Sequence, residues 1–199
     1  MEKLVLHPNP TAQWHALVNE AQIAADCRLN EDLESYLVFV LMRFADAPEL
    51  AARVLALDYL RSNLASGHIR QTRLRDVGDQ CLLYSGLFPE QAGHRQVNIG
   101  YFVDLGRTAY QELSLLIRHR SAEIFTQLAV DFVMLMDVLL AMREMGDNSL
   151  TLEPLKLLDL GKKTGSRYAF KALRSKANID GAALDQLVDS LNSSKILPH

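Results

Sequence analysis

Apolar residues recur every three or four positions along almost the whole chain, and no window sustains a strict apolar–polar alternation. β-Branched residues are scarce, so the pattern predicts an all-α protein. A first helix starts near Asn9, with Pro10 at its first position, where a missing N–H costs nothing. Trp14, Leu17, Val18, Ala21, Ala24 and Ala25 line its inner face. A second helix follows Asn30 and runs through YLVFVLMRF, apolar around most of its circumference, which predicts a central position. A third is expected after Asp46, with Pro48 just inside and Glu49 in capping-box position; Leu50, Val54, Leu57, Leu60 and Leu64 form its stripe and Gly67 ends it.

The fourth helix is expected over 68–86 with Leu74, Val77, Cys81 and Tyr84 inward, then a polar loop over 87–98 and a fifth helix over 99–119. The sixth, over 122–145, is the longest. Its polar residues Glu123, Thr126, Gln127, Asp131, Asp137 and Glu144 fall within roughly 140° of arc, and Val130, Met134 and Val138 interrupt even that stripe. A helix so apolar on all sides is expected at the centre of a bundle. The segment GDNSLTLEP (146–154) reads as a linker, followed by one helix near 155–175 and another near 182–191. The predicted organisation is therefore a helical core over 1–145, a linker over 146–154, and a C-terminal helical pair over 155–199 packed on the core. The whole makes a single bundle-like domain of seven to eight helices.

One segment breaks the helical rule. Five of the ten glycines (Gly78, Gly86, Gly93, Gly100, Gly106) and five of the fourteen aromatics fall in or beside positions 78–106. Glycine at such density marks a bend or a close approach of backbone to something else. The segment gathers a candidate ligand-binding set: Tyr84, His94, Arg95, Tyr101, Asp104 and Arg107, which includes potential acids, bases and anion clamps. The alternative is structural: Asp104 and Arg107 form an ordinary surface pair, and Gly100 and Gly106 only let another helix pack close.

Composition narrows the chemistry. A chain of 199 residues with 49% hydrophobic and 23% charged residues can bury a core without disulfides or metals. Cys27 and Cys81 stand alone, as small hydrophobes in a reducing compartment, and the N-terminus lacks the apolar run of a signal peptide. A cytoplasmic protein is the expectation. No Glu-x-x-His, no G-x-S-x-G and no complete P-loop occurs, so no catalytic residue, metal or cofactor is assigned. Asp131 and Asp137, on the most apolar helix, call for a partner, and an arginine is the expected one.

Net charge is −3, but it is unevenly spread. Residues 154–176 carry seven basic residues against Asp159 alone, a net +6, which leaves about −9 for the rest. Lys162, Lys163, Arg167, Lys171 and Arg174, interleaved with Tyr168 and Phe170, are a candidate phosphate-contacting set. Docking of this segment on the acidic remainder is the competing reading, since Leu157, Leu158, Gly161, Gly165, Tyr168, Ala169, Ala172 and Leu173 fit one helical face.

The segments ESYLVFVLMRF, VGDQCLLYSGLFPE, IGYFVDLGRTAY and GKKTGSRYAF resemble a group of uncharacterised cytosolic bacterial proteins. The resemblance spans most of the chain and implies no activity, ligand or site residue. The expectation is a non-enzymatic interaction or assembly module, acting as a homo-oligomer or with another protein. A small-molecule-binding protein or an enzyme with its pocket near residues 84–107 is the first alternative and nucleic-acid binding through 154–176 the second.

Overall fold

The computed structural model describes residues 9–46, 59, 62, 64–89, 98–117, 120–146 and 152–177. These form eight α-helices: α1 (Pro10–Ala25), α2 (Glu31–Asp46), α3 (Gly67–Leu87), α4 (Ile99–Leu116), α5 (Arg120–Val130), α6 (Phe132–Gly146), α7 (Pro154–Thr164) and α8 (Arg167–Ala177). No strand occurs among the described residues. The stripe expected at Leu50, Val54, Leu57 and Leu60, the loop with Gly93, His94 and Arg95, and the final helix near 182–191 lie outside the described residues.

Local chemistry sets the helix starts. The Asn9 side chain accepts from the Thr11 amide at 3.2 Å, and Pro10 occupies the first turn. Asn30 does the same for α2, accepting from the Leu33 amide at 2.8 Å; its Nδ2 donates to Gln127 of α5 at 2.9 Å. Asn98 caps α4 through the Gly100 amide. Asp26, in the left-handed region at φ 53°, stops α1. Gly67 does not close a preceding helix but opens α3, at φ +58°, a conformation that favours glycine.

α6 lies at the centre, against α1, α3, α5 and α8, and α3 packs between α4 and α6. Phe132, Leu135, Met136, Val138, Leu139 and Ala141 are fully enclosed. The central position of the 122–145 segment is as its apolar circumference requires, but it is not one rod. It breaks at Asp131 into α5 and α6, whose axes differ by 70°. Arg107 Nε donates to the Ala129 carbonyl at 3.0 Å, two residues before the bend, the kind of side-chain intrusion on the backbone ladder that accompanies kinks. The bend turns Phe132 into the core, where its ring lies against Tyr110. No single described helix is long and apolar enough to cross a membrane.

The glycines of the unusual segment are packing points. A Cβ on Gly78 would stand 2.4 Å from the Tyr110 ring, one on Gly86 would meet Leu139 at 2.4 Å, and one on Gly106 would meet the Phe132 ring at 2.6 Å and Cys81 Cβ at 2.8 Å. Their absent side chains let α3, α4 and α6 approach one another.

The single helix expected near 155–175 is two, α7 and α8, turned at Gly165 (φ +77°). Leu157, Leu160, Gly161, Ala169 and Leu173, on α7 and α8, are buried. A carboxylate from α6 holds the turn. Asp137 accepts from the Ser166 hydroxyl, from the Arg167 amide at 3.0 Å and from the Tyr168 amide at 3.2 Å. Ser166 caps α8 through the Ala169 amide at 2.9 Å. The partner of Asp137 is thus a helix N-terminus rather than an arginine side chain: its orphan amides offer donors that need no second buried charge.

Candidate functional site

The densest buried polar chemistry among the described residues centres on Asp79 of α3. The preceding glycine creates its surroundings: with no side chain at Gly78, the Tyr110 ring of α4 packs close against α3 and its hydroxyl reaches Asp79 Oδ1 at 2.8 Å. Tyr36 of α2 donates to the same oxygen at 2.7 Å. Arg43, two turns along α2, donates Nη1 to Asp79 Oδ2 at 3.1 Å and Nη2 to Asp76 Oδ1 at 2.6 Å. One carboxylate therefore joins α2, α3 and α4. Aromatic rings wall it: Tyr36 and Tyr110 meet edge to face at 6.4 Å, and Phe125 sits 5.8 Å from Tyr36 and 6.1 Å from Tyr110.

Burial dominates the electrostatics. It pushes the Asp79 carboxyl up to about 6, against the opposing pull of the two tyrosine hydroxyls, Arg43 and the more distant Arg75. Burial, with the Asp79 charge, likewise lifts both tyrosines well above the usual phenol range. Burial works against the Arg43 cation, but Asp76 and Asp79 outweigh it and raise its pKa.

A cavity of about 10 Å³ lies beside the cluster, lined by Val40, Arg43, Phe44, Asp76, Asp79, Gln80 and Leu83. That is room for about one water-sized molecule. Gln80 is 4% exposed and its Oε1 accepts no hydrogen bond. The cluster offers a carboxyl that can gain or lose a proton and a neighbouring unfilled acceptor. It has no room for an organic substrate.

The candidates near 84–107 are spread over different surroundings. Tyr84 is buried in the core, stacked on Phe102 at 5.7 Å. Tyr101 is 43% exposed and Asp104 also faces solvent. Arg107 is engaged at the α5–α6 bend. The structure does not gather these four side chains into one polar cluster; His94 and Arg95 lie outside the described residues. In the basic segment, Lys163 pairs with Asp159 at 2.7 Å, and Lys171 donates to the Ala24 carbonyl at 3.3 Å. Lys176 reaches the Leu152 carbonyl at 2.9 Å and Glu144 at 3.9 Å. Lys162, Arg167 and Arg174 are exposed on α7 and α8. Among the described residues no group of three His, Cys, Asp or Glu side chains could hold a metal ion.

Sequence reasoning passed over Asp79, Tyr36 and Arg43. The available signal was faint: Asp76 and Asp79 three apart in a helix with Leu74, Val77 and Cys81 inward, and one arginine inside the apolar run of α2. Neither predicts that the two helices meet at that level. Compared with known proteins, the chain matches no family model, no curated protein and no solved structure.

Proposed function

We propose that this chain is a non-enzymatic helical interaction module that assembles with a second copy of itself. The observation that carries this reading is a group of solvent-facing aliphatic side chains at one end of the α3–α4 pair. Arg70 pairs with Glu112 at 3.0 Å and Gln71 donates to the Leu116 carbonyl at 3.2 Å, so the start of α3 lies beside the end of α4. At that end Leu64 is 89% exposed, Ile69 60% and Leu115 85%. Large aliphatic groups gathered at one end of a bundle are a common mark of a protein–protein contact. The occupied donors around Asp79 and the water-sized cavity support a binding role over a catalytic one. Cys27 and Cys81, both unpaired thiols, support a reducing compartment such as the cytoplasm.

Light scattering over a range of concentrations tests this. The expected mass is at least twice 22.3 kDa, and Leu115→Lys, which alters an exposed side chain, returns it to 22.3 kDa without loss of helicity. A wild-type mass of 22.3 kDa at every concentration overturns the reading.

A further inference from the structure

The outward side of α8 carries a row of positive charge that self-assembly at the α3–α4 end does not use. We infer that this row, Arg167, Lys171 and Arg174, is a docking face for the phosphate backbone of a double-stranded nucleic acid, gripped without regard to base sequence.

Helix geometry makes the row. At about 100° per residue the three positions fall within about 60° of arc and span about 10 Å of helix axis. All three are exposed, while Ala169 and Leu173, on the opposite side of α8, are buried. One strand of a duplex presents about three phosphates over that length. From 160 to 177 the chain has six basic residues and no acidic one. The support behind the row is fixed. Asp137 takes the Arg167 and Tyr168 amides, the Tyr168 hydroxyl donates to Glu144 at 2.7 Å, and Lys176 reaches the Leu152 carbonyl at 2.9 Å. Lys171 donates to the Ala24 carbonyl at 3.3 Å, a single exposed bond that a phosphate oxygen can replace.

The chemistry of the face selects the partner. The centre of a protein–protein interface is apolar and poor in lysine. A helix that lies on a membrane sets large apolar side chains beside its basic ones. α8 offers neither: among the described residues, no exposed large hydrophobic side chain lies on it, and its apolar side faces inward. A face of charge alone fits a polyphosphate, and the arginine forks can each grip two of its oxygens. Neither aromatic of α8 belongs to the row. Phe170 packs against Gly161, and Tyr168 is tied to Glu144, so recognition stops at the backbone.

Fluorescence anisotropy with labelled duplexes of about 20 base pairs, in two unrelated sequences, tests this. Saturable binding is expected at about 50 mM salt, alike for both sequences, and about 40-fold weaker at about 200 mM, as three phosphate contacts require. Lys171→Gln, at an exposed position, reduces the slope of log affinity against log salt by about 0.9. Arg167→Glu combined with Lys171→Glu lowers affinity at least about tenfold at the lower salt, with helicity and mass unchanged. No binding at the lower salt overturns the inference. So does a duplex affinity that these substitutions leave unmoved, a preference for one sequence, or binding to anionic vesicles without binding to the duplex. A fall in mass on the double substitution would assign the face to a second copy of the chain and overturn it as well.

Discussion

Single atoms decide how closely these helices meet. A Cβ on Gly106 would press on both the Phe132 ring and Cys81, and Cys81 Cβ is tied directly to the backbone of α3. Gly106→Ala gains helix propensity of about 1 kcal/mol but forces one of these neighbours aside. Overpacking of this kind costs about 1–3 kcal/mol, so a net loss of stability is expected in urea denaturation. An alanine variant as stable as the wild type would mean the core yields at this point. The glycine cluster was legible in the sequence as a place of close approach. What approaches was not: Tyr110, Leu139 and Phe132 come from later in the chain, and no spacing rule links them to positions 78, 86 and 106.

At the level of elements, the helices themselves were readable, because caps and periodicity act within a few residues. Asn9, Asn30 and Asn98 each mark a start that the side chain enforces. The two misread elements share a cause. The 122–145 rod and the 155–175 helix keep their apolar period through a break, and each break is held by a distant group: Arg107 at the first, Asp137 at the second. Asp137→Ala is therefore expected to act on α8. It removes bonds from a buried carboxylate to a hydroxyl and two amides, at a cost of about 2–4 kcal/mol. The α7–α8 pair should become sensitive to limited proteolysis before the rest of the bundle. Cleavage spread evenly over the chain would show that the carboxylate does not anchor that element.

For the whole molecule, the buried carboxyl of Asp79 couples folding to pH. Its pKa rises from 3.8 to about 6 on folding, so between those values the native state holds a proton that the unfolded chain has released. Stability from this group is present below about pH 4 and is lost as pH rises through about 6, by up to about 3 kcal/mol. Glu34 acts in the opposite sense. Hydrogen bonds from His15 and Gln22, with the nearby His15 charge, outweigh burial and lower its pKa, so its contribution fades as pH falls. Comparing the wild type with Asp79→Asn isolates the first effect: the penalty of the substitution is expected to be larger near pH 4 than near pH 7 by about 2 kcal/mol in denaturant titrations. An equal penalty at both would place the Asp79 pKa at its unfolded value.

The sequence by itself determined that this chain is helical, roughly where α1 to α5 and α7 begin, and that residues 122–145 belong at the centre. These follow from interactions within one or two turns and from apolar circumference, which any fold must cover. Only the tertiary structure decided where long helices bend, which glycines receive which rings, and that Tyr36, Arg43, Asp79 and Tyr110 share one buried charge. Those outcomes depend on contacts between residues 22 to 74 positions apart, and the energy of such contacts is not written in the period of any one segment.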